Sequence, residues 1–186
     1  MFRSGRLAAA AALTAAMLGG CGASGKAAPD FTLTSDAGQP WTLSAQHGKP
    51  VLLTFGFSHC ADTCPETLAK LAHLTQHSLG AAGSAVEIVM VTVDPRRDSP
   101  AALHAFVSRF DRPIVGLTGS RKQIDAVESA YGVWAQPVPG KHGGQDYDVA
   151  HTATIFLIDA GGHIRGLHQD DDSEAAIARS VREMSS

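Results

Sequence analysis

Cys60 and Cys64 stand close together in the segment Phe55-Gly56-Phe57-Ser58-His59-Cys60-Ala61-Asp62-Thr63-Cys64-Pro65. Where a strand gives way to a helix, this spacing lets both sulfurs turn toward one point, either a shared metal ion or each other. A helix N-terminus favours the thiolate over the thiol. Two thiolates are soft donors, which select copper(I) or zinc over magnesium or calcium. A plain structural disulfide is the competing reading. It is the weaker one, because a bridge over so short a loop restrains little of the unfolded chain.

The elements that must position this pair follow an alternating α/β order. Residues 30–43 alternate around Asp36-Ala37-Gly38, as a short hairpin does. Val51-Leu52-Leu53-Thr54-Phe55 is a continuous apolar run, which suits a buried strand and ends just before the cysteines. Pro65 is placed to open a helix, with Leu68, Leu71, Ala72, Thr75 and Leu79 on one side and Gly80 and Gly83 at its end. Val86 to Val93 reads as a second buried strand closing at Asp94-Pro95. Ser99-Pro100 starts the next helix, serine as cap and proline at the first position, leading into Leu103, Phe106, Val107 and Phe110. Residues 114–117 make a short third strand. Ser120 caps a helix with Ile124, Val127 and Tyr131 inward, stopped by Gly132. Residues 135–148, rich in proline, glycine and polar groups, read as a loop long enough to suggest a functional role. A fourth strand, residues 152–158, turns at Ala160-Gly161-Gly162 into residues 163–167. Asp170, Asp171 and Asp172 then precede a last helix carrying Ile177 and Val181, where acids favour its positive end.

The histidines divide unevenly. His73 and His77 have the i, i+4 spacing that can bind zinc, but they lie opposite the leucine stripe and outside any H-E-x-x-H pattern, so they read as solvated surface residues. His142 falls in the loop, a low-weight candidate for a transient metal contact. His47, His104, His163 and His168 have no partner visible in the sequence.

The first residues read as an address. Arg3 and Arg6 precede an apolar run over residues 7–18 and the small pair Gly19-Gly20, the order of a secretory signal peptide. Leu18-Gly19-Gly20-Cys21 resembles a bacterial lipobox, which implies acylation of Cys21. The expected organisation is a signal peptide over 1–20, lipidated Cys21 and tether over 21–28, and one domain over 29–186. Export places Cys60 and Cys64 outside the cytoplasm, on the periplasmic side, where thiols become disulfides unless reduced or held by a metal. The formal charge is −3. Without the first 20 residues it is more acidic still, and no basic block exists, which argues against nucleic-acid binding. A monomer is the default expectation.

Several segments together resemble the Sco/SenC family. They are Thr54 through Cys60 with Cys64-Pro65, then Val93-Asp94-Pro95-Arg96-Arg97-Asp98-Ser99-Pro100, then Leu117-Thr118-Gly119, and His151-Thr152 leading into Phe156-Leu157-Ile158-Asp159. They stand in the family's order and span nearly the whole chain after the leader. The resemblance implies a thioredoxin-like α/β fold with a central mixed sheet flanked by helices and an N-terminal hairpin. It implies copper, as Cu(I) or Cu(II), held by Cys60, Cys64 and His151, with Asp94 as a nearby tuning acid. It also implies a role in assembling the dinuclear copper site of cytochrome c oxidase, with the copper-bearing subunit or another periplasmic copper protein as partner. Two positions depart from the family's usual pattern, Ala61 in place of proline and Ala150 in place of an acid.

Three functions compete on these readings: a copper-binding assembly factor, a thiol–disulfide oxidoreductase using Cys60 and Cys64 as a redox pair, and a peroxiredoxin-like peroxidase. The C-x-x-x-C spacing argues against the second, since thioredoxin-type enzymes use C-x-x-C. The peroxidase would need one strongly activated cysteine without a close partner.

Overall fold

The computed structural model describes residues 25–140 and 147–184. Cys21, the leader before it and His142 lie outside the described residues. In chain order the regular elements are β1 (Lys26–Ala27), β2 (Thr32–Ser35), β3 (Pro40–Thr42), β4 (Val51–Gly56), α1 (Thr63–His73), β5 (Glu87–Thr92), α2 (Pro100–Val107), β6 (Ile114–Thr118), α3 (Arg121–Tyr131), β7 (Ala135–Pro139), β8 (Tyr147–His151), β9 (Thr154–Ile158), β10 (His163–Gln169) and α4 (Glu174–Met184).

Eight strands form one mixed sheet in the order β1-β10-β9-β4-β5-β6-β2-β3. β4, β5 and β6 run parallel, whereas β9 lies antiparallel to β4 on its other side. The hairpin β2–β3 extends the sheet beyond β6. This is the expected thioredoxin-like arrangement. The apolar runs explain it: every residue of β4 and of β9 is buried. A strand apolar on both faces has to be covered on both, which in an α/β chain is the work of helices. Leu68 and Leu71 from α1, Leu103 and Phe106 from α2, Ile124 and Val127 from α3, and Ile177 and Val181 from α4 join the sheet residues in one core.

The helix boundaries follow local chemistry. The Ser99 hydroxyl accepts the Ala102 amide and Pro100 takes the first turn of α2. Ser120 and Gln123 make a reciprocal capping box on α3, and Gly132 ends that helix with φ 66°, a left-handed conformation in which a side chain is strained. At α4 the cap is Ser173, whose oxygen accepts the Ala176 amide. Asp172 instead binds His168 and the Gln169 amide.

Two expectations change. Of residues 135–148, expected to be a loop, 135–139 and 147–148 lie in strands. Strands β7 and β8 pair as a separate antiparallel ribbon, with Ala135 opposite His151 and Pro139 opposite Tyr147. The first helix starts at Thr63, two positions before Pro65, so Cys64 lies inside its first turn. That helix is also not regular to Leu79. After His73 it widens into a π turn over Leu74–Ser78 and then tightens into a 3-10 turn over Gly80–Ala85. Thr75 is one cause: its hydroxyl donates to the carbonyls of Leu71 and Ala72, in competition with the regular ladder. No helix among the described residues is long and apolar enough to cross a membrane.

Candidate metal centre

The turn between β4 and α1 holds both cysteines. The Cys60 amide bonds the Phe57 carbonyl, which folds the chain back and points the Cys60 sulfur at the start of the helix. There the sulfur accepts the Cys64 amide at 3.4 Å. α1 has no side-chain cap from Asp62. A sulfur therefore takes one of the amides that the helix start leaves open, and Pro65 removes another by having none. Cys64 is buried and Cys60 is half-buried, and both are free thiols.

His151 arrives from the separate ribbon. It is the last residue of β8, and its Nε2 lies 3.8 Å from the Cys64 sulfur, across 87 positions of sequence. Its Nδ1 is 3.0 Å from the Val149 carbonyl. A carbonyl only accepts, so Nδ1 carries a proton, and in the neutral ring Nε2 holds its lone pair toward the sulfur. The Phe57 ring meets the imidazole edge to face at 5.7 Å, which fixes its plane.

The two thiols titrate in opposite directions. The Cys60 thiol is lowered to about 6, chiefly by a hydrogen bond from the Cys64 side chain, helped by backbone amides of Cys64 and Asp62 and by His151. The Cys64 thiol is pushed up by sharing that bond with Cys60, by burial and by the Cys60 charge. Cys60 is thus the thiolate of the pair and Cys64 its proton donor.

Gly56, the last residue of β4, makes room for this seat. A Cβ there would lie 3.0 Å from the Cys64 sulfur and 3.3 Å from the Met90 sulfur. Two acids that follow β5 stabilise the surroundings. Asp98 is fully buried and holds the turn before Cys60, bonding the Ser58 amide at 3.1 Å, the Ser58 hydroxyl at 2.5 Å and the Thr92 hydroxyl at 2.6 Å. His59 contacts the same Ser58 hydroxyl at 3.0 Å. Asp94 is also buried, and its carboxylate is taken by Arg97 and by the Tyr147 hydroxyl at 2.9 Å. Arg97 in turn bonds the Tyr147 carbonyl at 2.9 Å and lies over the Tyr147 ring, 3.7 Å from its centroid. Asp94 therefore acts on the ribbon that carries His151, and its link to the cysteines runs through that ribbon. Sequence reasoning gave no role to Asp98, Arg97, Tyr147 or Gly56. Asp98 and Arg97 lie in the segment that carried the resemblance, and a buried acid and a stacked arginine become visible only when distant elements meet.

Cys60, His151, His59, Arg97 and Tyr147 line one open cleft of about 820 Å³. Among the described residues, no three Cys, His, Asp or Glu side chains are gathered closely enough to hold a metal ion as they stand. Cys60, Cys64 and His151 are linked pairwise instead, sulfur to amide and sulfur to imidazole. The donor set is two thiols and an imidazole with a free lone pair, which suits copper in either oxidation state. Trp134, at the root of the ribbon, is 55% exposed and pairs its backbone with Thr152.

A family model described as SCO1/SenC matches residues 22–186. The mitochondrial SCO1 homolog of Mus musculus is 36% identical over 152 residues, covering 81% of this chain and 53% of that protein. The chain thus spans about half the length of this curated relative. Among solved structures, Bradyrhizobium japonicum ScoI with copper bound has 31% identity and a TM-score of 0.74, covering 86% of this chain and 98% of that one. Arabidopsis thaliana ScoI with copper bound has 29% identity and a TM-score of 0.77, covering 84% and 98%.

Proposed function

The chain belongs to the SCO1/SenC family, and from that premise we propose that it is a copper-binding assembly factor for the dinuclear copper site of cytochrome c oxidase. Cys60, Cys64 and His151 receive the cargo. The observation that carries this reading is the 3.8 Å approach of His151 Nε2 to the Cys64 sulfur, with the Nδ1 proton committed to Val149. An imidazole held this way offers its lone pair without first losing a proton. Copper(I) arrives at the Cys60 thiolate, displaces the remaining Cys64 proton and is completed by the imidazole. The open cleft lets a partner's ligands reach the ion from the side of Cys60. The acceptor is the copper-bearing oxidase subunit or another periplasmic copper protein. The leader and Cys21 make the chain an exported lipoprotein with one domain over 29–186, acting as a monomer.

A second reading has one observation in its favour. The half-buried, ionised Cys60 and the buried, protonated Cys64 are arranged as an attacking and a resolving thiol. In that reaction the pair passes two electrons to an acceptor disulfide and closes its own disulfide. The same chemistry would prepare an oxidase subunit's cysteines for copper.

Anaerobic copper(I) titration of the exported chain with a competing chelator separates the two. Assembly by delivery predicts one tight copper per chain, lost in Cys60→Ser and Cys64→Ser and weakened at least about tenfold in His151→Ala. Copper binding that ignores His151, alongside disulfide reduction that needs only the cysteines, would leave the reductase reading alone.

A further inference from the structure

His73 and His77 are exposed but not unengaged. His73 closes α1 and His77 sits within the π turn that follows. A π turn takes more residues per revolution than an α turn, so side chains four apart come closer to being in line. The two imidazoles accordingly lie with centroids 4.6 Å apart. The first residue of α4 meets His73 there. Glu174 places its carboxylate oxygens 2.9 and 3.1 Å from His73 Nδ1, across 101 positions of sequence. The Ser78 hydroxyl donates to the same carboxylate, and Arg182 holds the Ser78 carbonyl at 2.9 Å. The Glu174 carboxyl is held below its usual range, chiefly by the Ser78 bond and then by the His73 bond and the charges of His73 and His77. His77 reaches the pair through its ring contact with His73.

We propose that His73, His77 and Glu174 form a second metal site, separate from the cysteines, for a divalent transition ion of the copper(II) or zinc(II) class. Two imidazoles and a carboxylate are the nitrogen and oxygen donors that such ions take, whereas copper(I) prefers the thiols. The His73–Glu174 separation is that of two neighbouring ligands, each at about 2.0–2.2 Å from one ion. The ion replaces the proton that nitrogen and oxygen now share. His77 completes the set by rotating its exposed ring, and Ser78 orients the carboxylate from behind. A groove beside the histidines, lined by Gln76, Asp111 and Glu66, leaves room for bound water. Bound there, the ion ties the end of α1 to the start of α4.

The test uses the untagged exported chain carrying Cys60→Ser and Cys64→Ser, so its outcome does not depend on the thiol site. Cu2+ is titrated calorimetrically and followed by electron paramagnetic resonance, and Zn2+ is added in thermal melts. One Cu2+ per chain with imidazole nitrogen coupling is expected. His77→Ala and Glu174→Gln should each weaken it at least about tenfold and abolish a zinc-induced rise in melting temperature. His104→Ala, whose imidazole bonds Asp36 elsewhere, should change neither. His77→Asn repeats the test should His77→Ala fold poorly, as circular dichroism would show. Absence of a Cu2+ equivalent, or binding and melting shifts that survive His77→Ala, would overturn the proposal.

Discussion

Cys60 and Cys64 carry the same functional group in opposite surroundings. Cys60 faces the cleft and collects a side-chain donor and backbone amides, while Cys64 lies under the core with a single shared proton. An ordinary thiol ionises near about 8.5. The Cys60 thiol, lowered to about 6, is mostly thiolate at neutral pH and takes up its proton as pH falls through that value. Iodoacetamide should therefore modify Cys60 in preference to Cys64 in the folded chain, with a rate midpoint at about 6. Cys64→Ala removes the leading cause and should move that midpoint upward. Equal modification of both residues, or a midpoint unmoved by Cys64→Ala, would contradict the assignment. The cysteines were legible in the sequence by type and spacing. Their third partner was not, because nothing local to His151 distinguishes it from the eight other histidines. Only the resemblance singled it out. The burial of Asp98 had no sequence signal, since the groups that satisfy it come from Ser58 and Thr92, on separate segments.

Between the residues and the molecule stands the ribbon β7–β8. The sequence hid it for physical reasons: Pro137 and Pro139 donate nothing to a ladder, and β7 has no apolar alternation to bury. The serine caps of α2 and α3 and the apolar runs of β4, β5 and β9 are local signals, and each held. The ribbon is attached to the main body through Tyr147, whose hydroxyl binds Asp94 and whose ring and carbonyl bind Arg97. Tyr147→Phe keeps the ring over Arg97 and deletes one hydrogen bond, worth about 1 kcal/mol net. If that loosens the ribbon, the fraction of molecules with His151 in place falls, and copper affinity should drop by no more than about fivefold. The titration described above measures this, with His151→Ala as the larger reference. An unchanged affinity would mean that Tyr147 has no part in holding the imidazole.

At the scale of the whole molecule, β4 and β9 form the spine. β4 leads into the cysteines, β9 follows the imidazole, and the two are paired to each other. Leu53 sits at their centre, wholly buried, opposite Phe156 on one side and Val89 on the other. Leu53→Ala should cost about 2–5 kcal/mol in urea unfolding, a large share of the about 5–15 kcal/mol typical of a domain. Leu167→Ala, at a 59% exposed position, should cost almost nothing. Equal costs would mean that the spine is not where the stability resides.

The placement of His151 on its ribbon has a mechanical consequence. It is the residue nearest the anchored end, separated from β9 only by Thr152 and Ala153, and Thr152 is clasped by Trp134. Tyr147, at the other end of β8, is farther from that pivot by about 13 Å at 3.3 Å per residue. Loss of the clasp at Tyr147 would therefore displace Tyr147 farther than the imidazole. Such a lever moves the cleft wall at Tyr147 more than it moves the imidazole, in keeping with the modest loss of affinity expected of Tyr147→Phe.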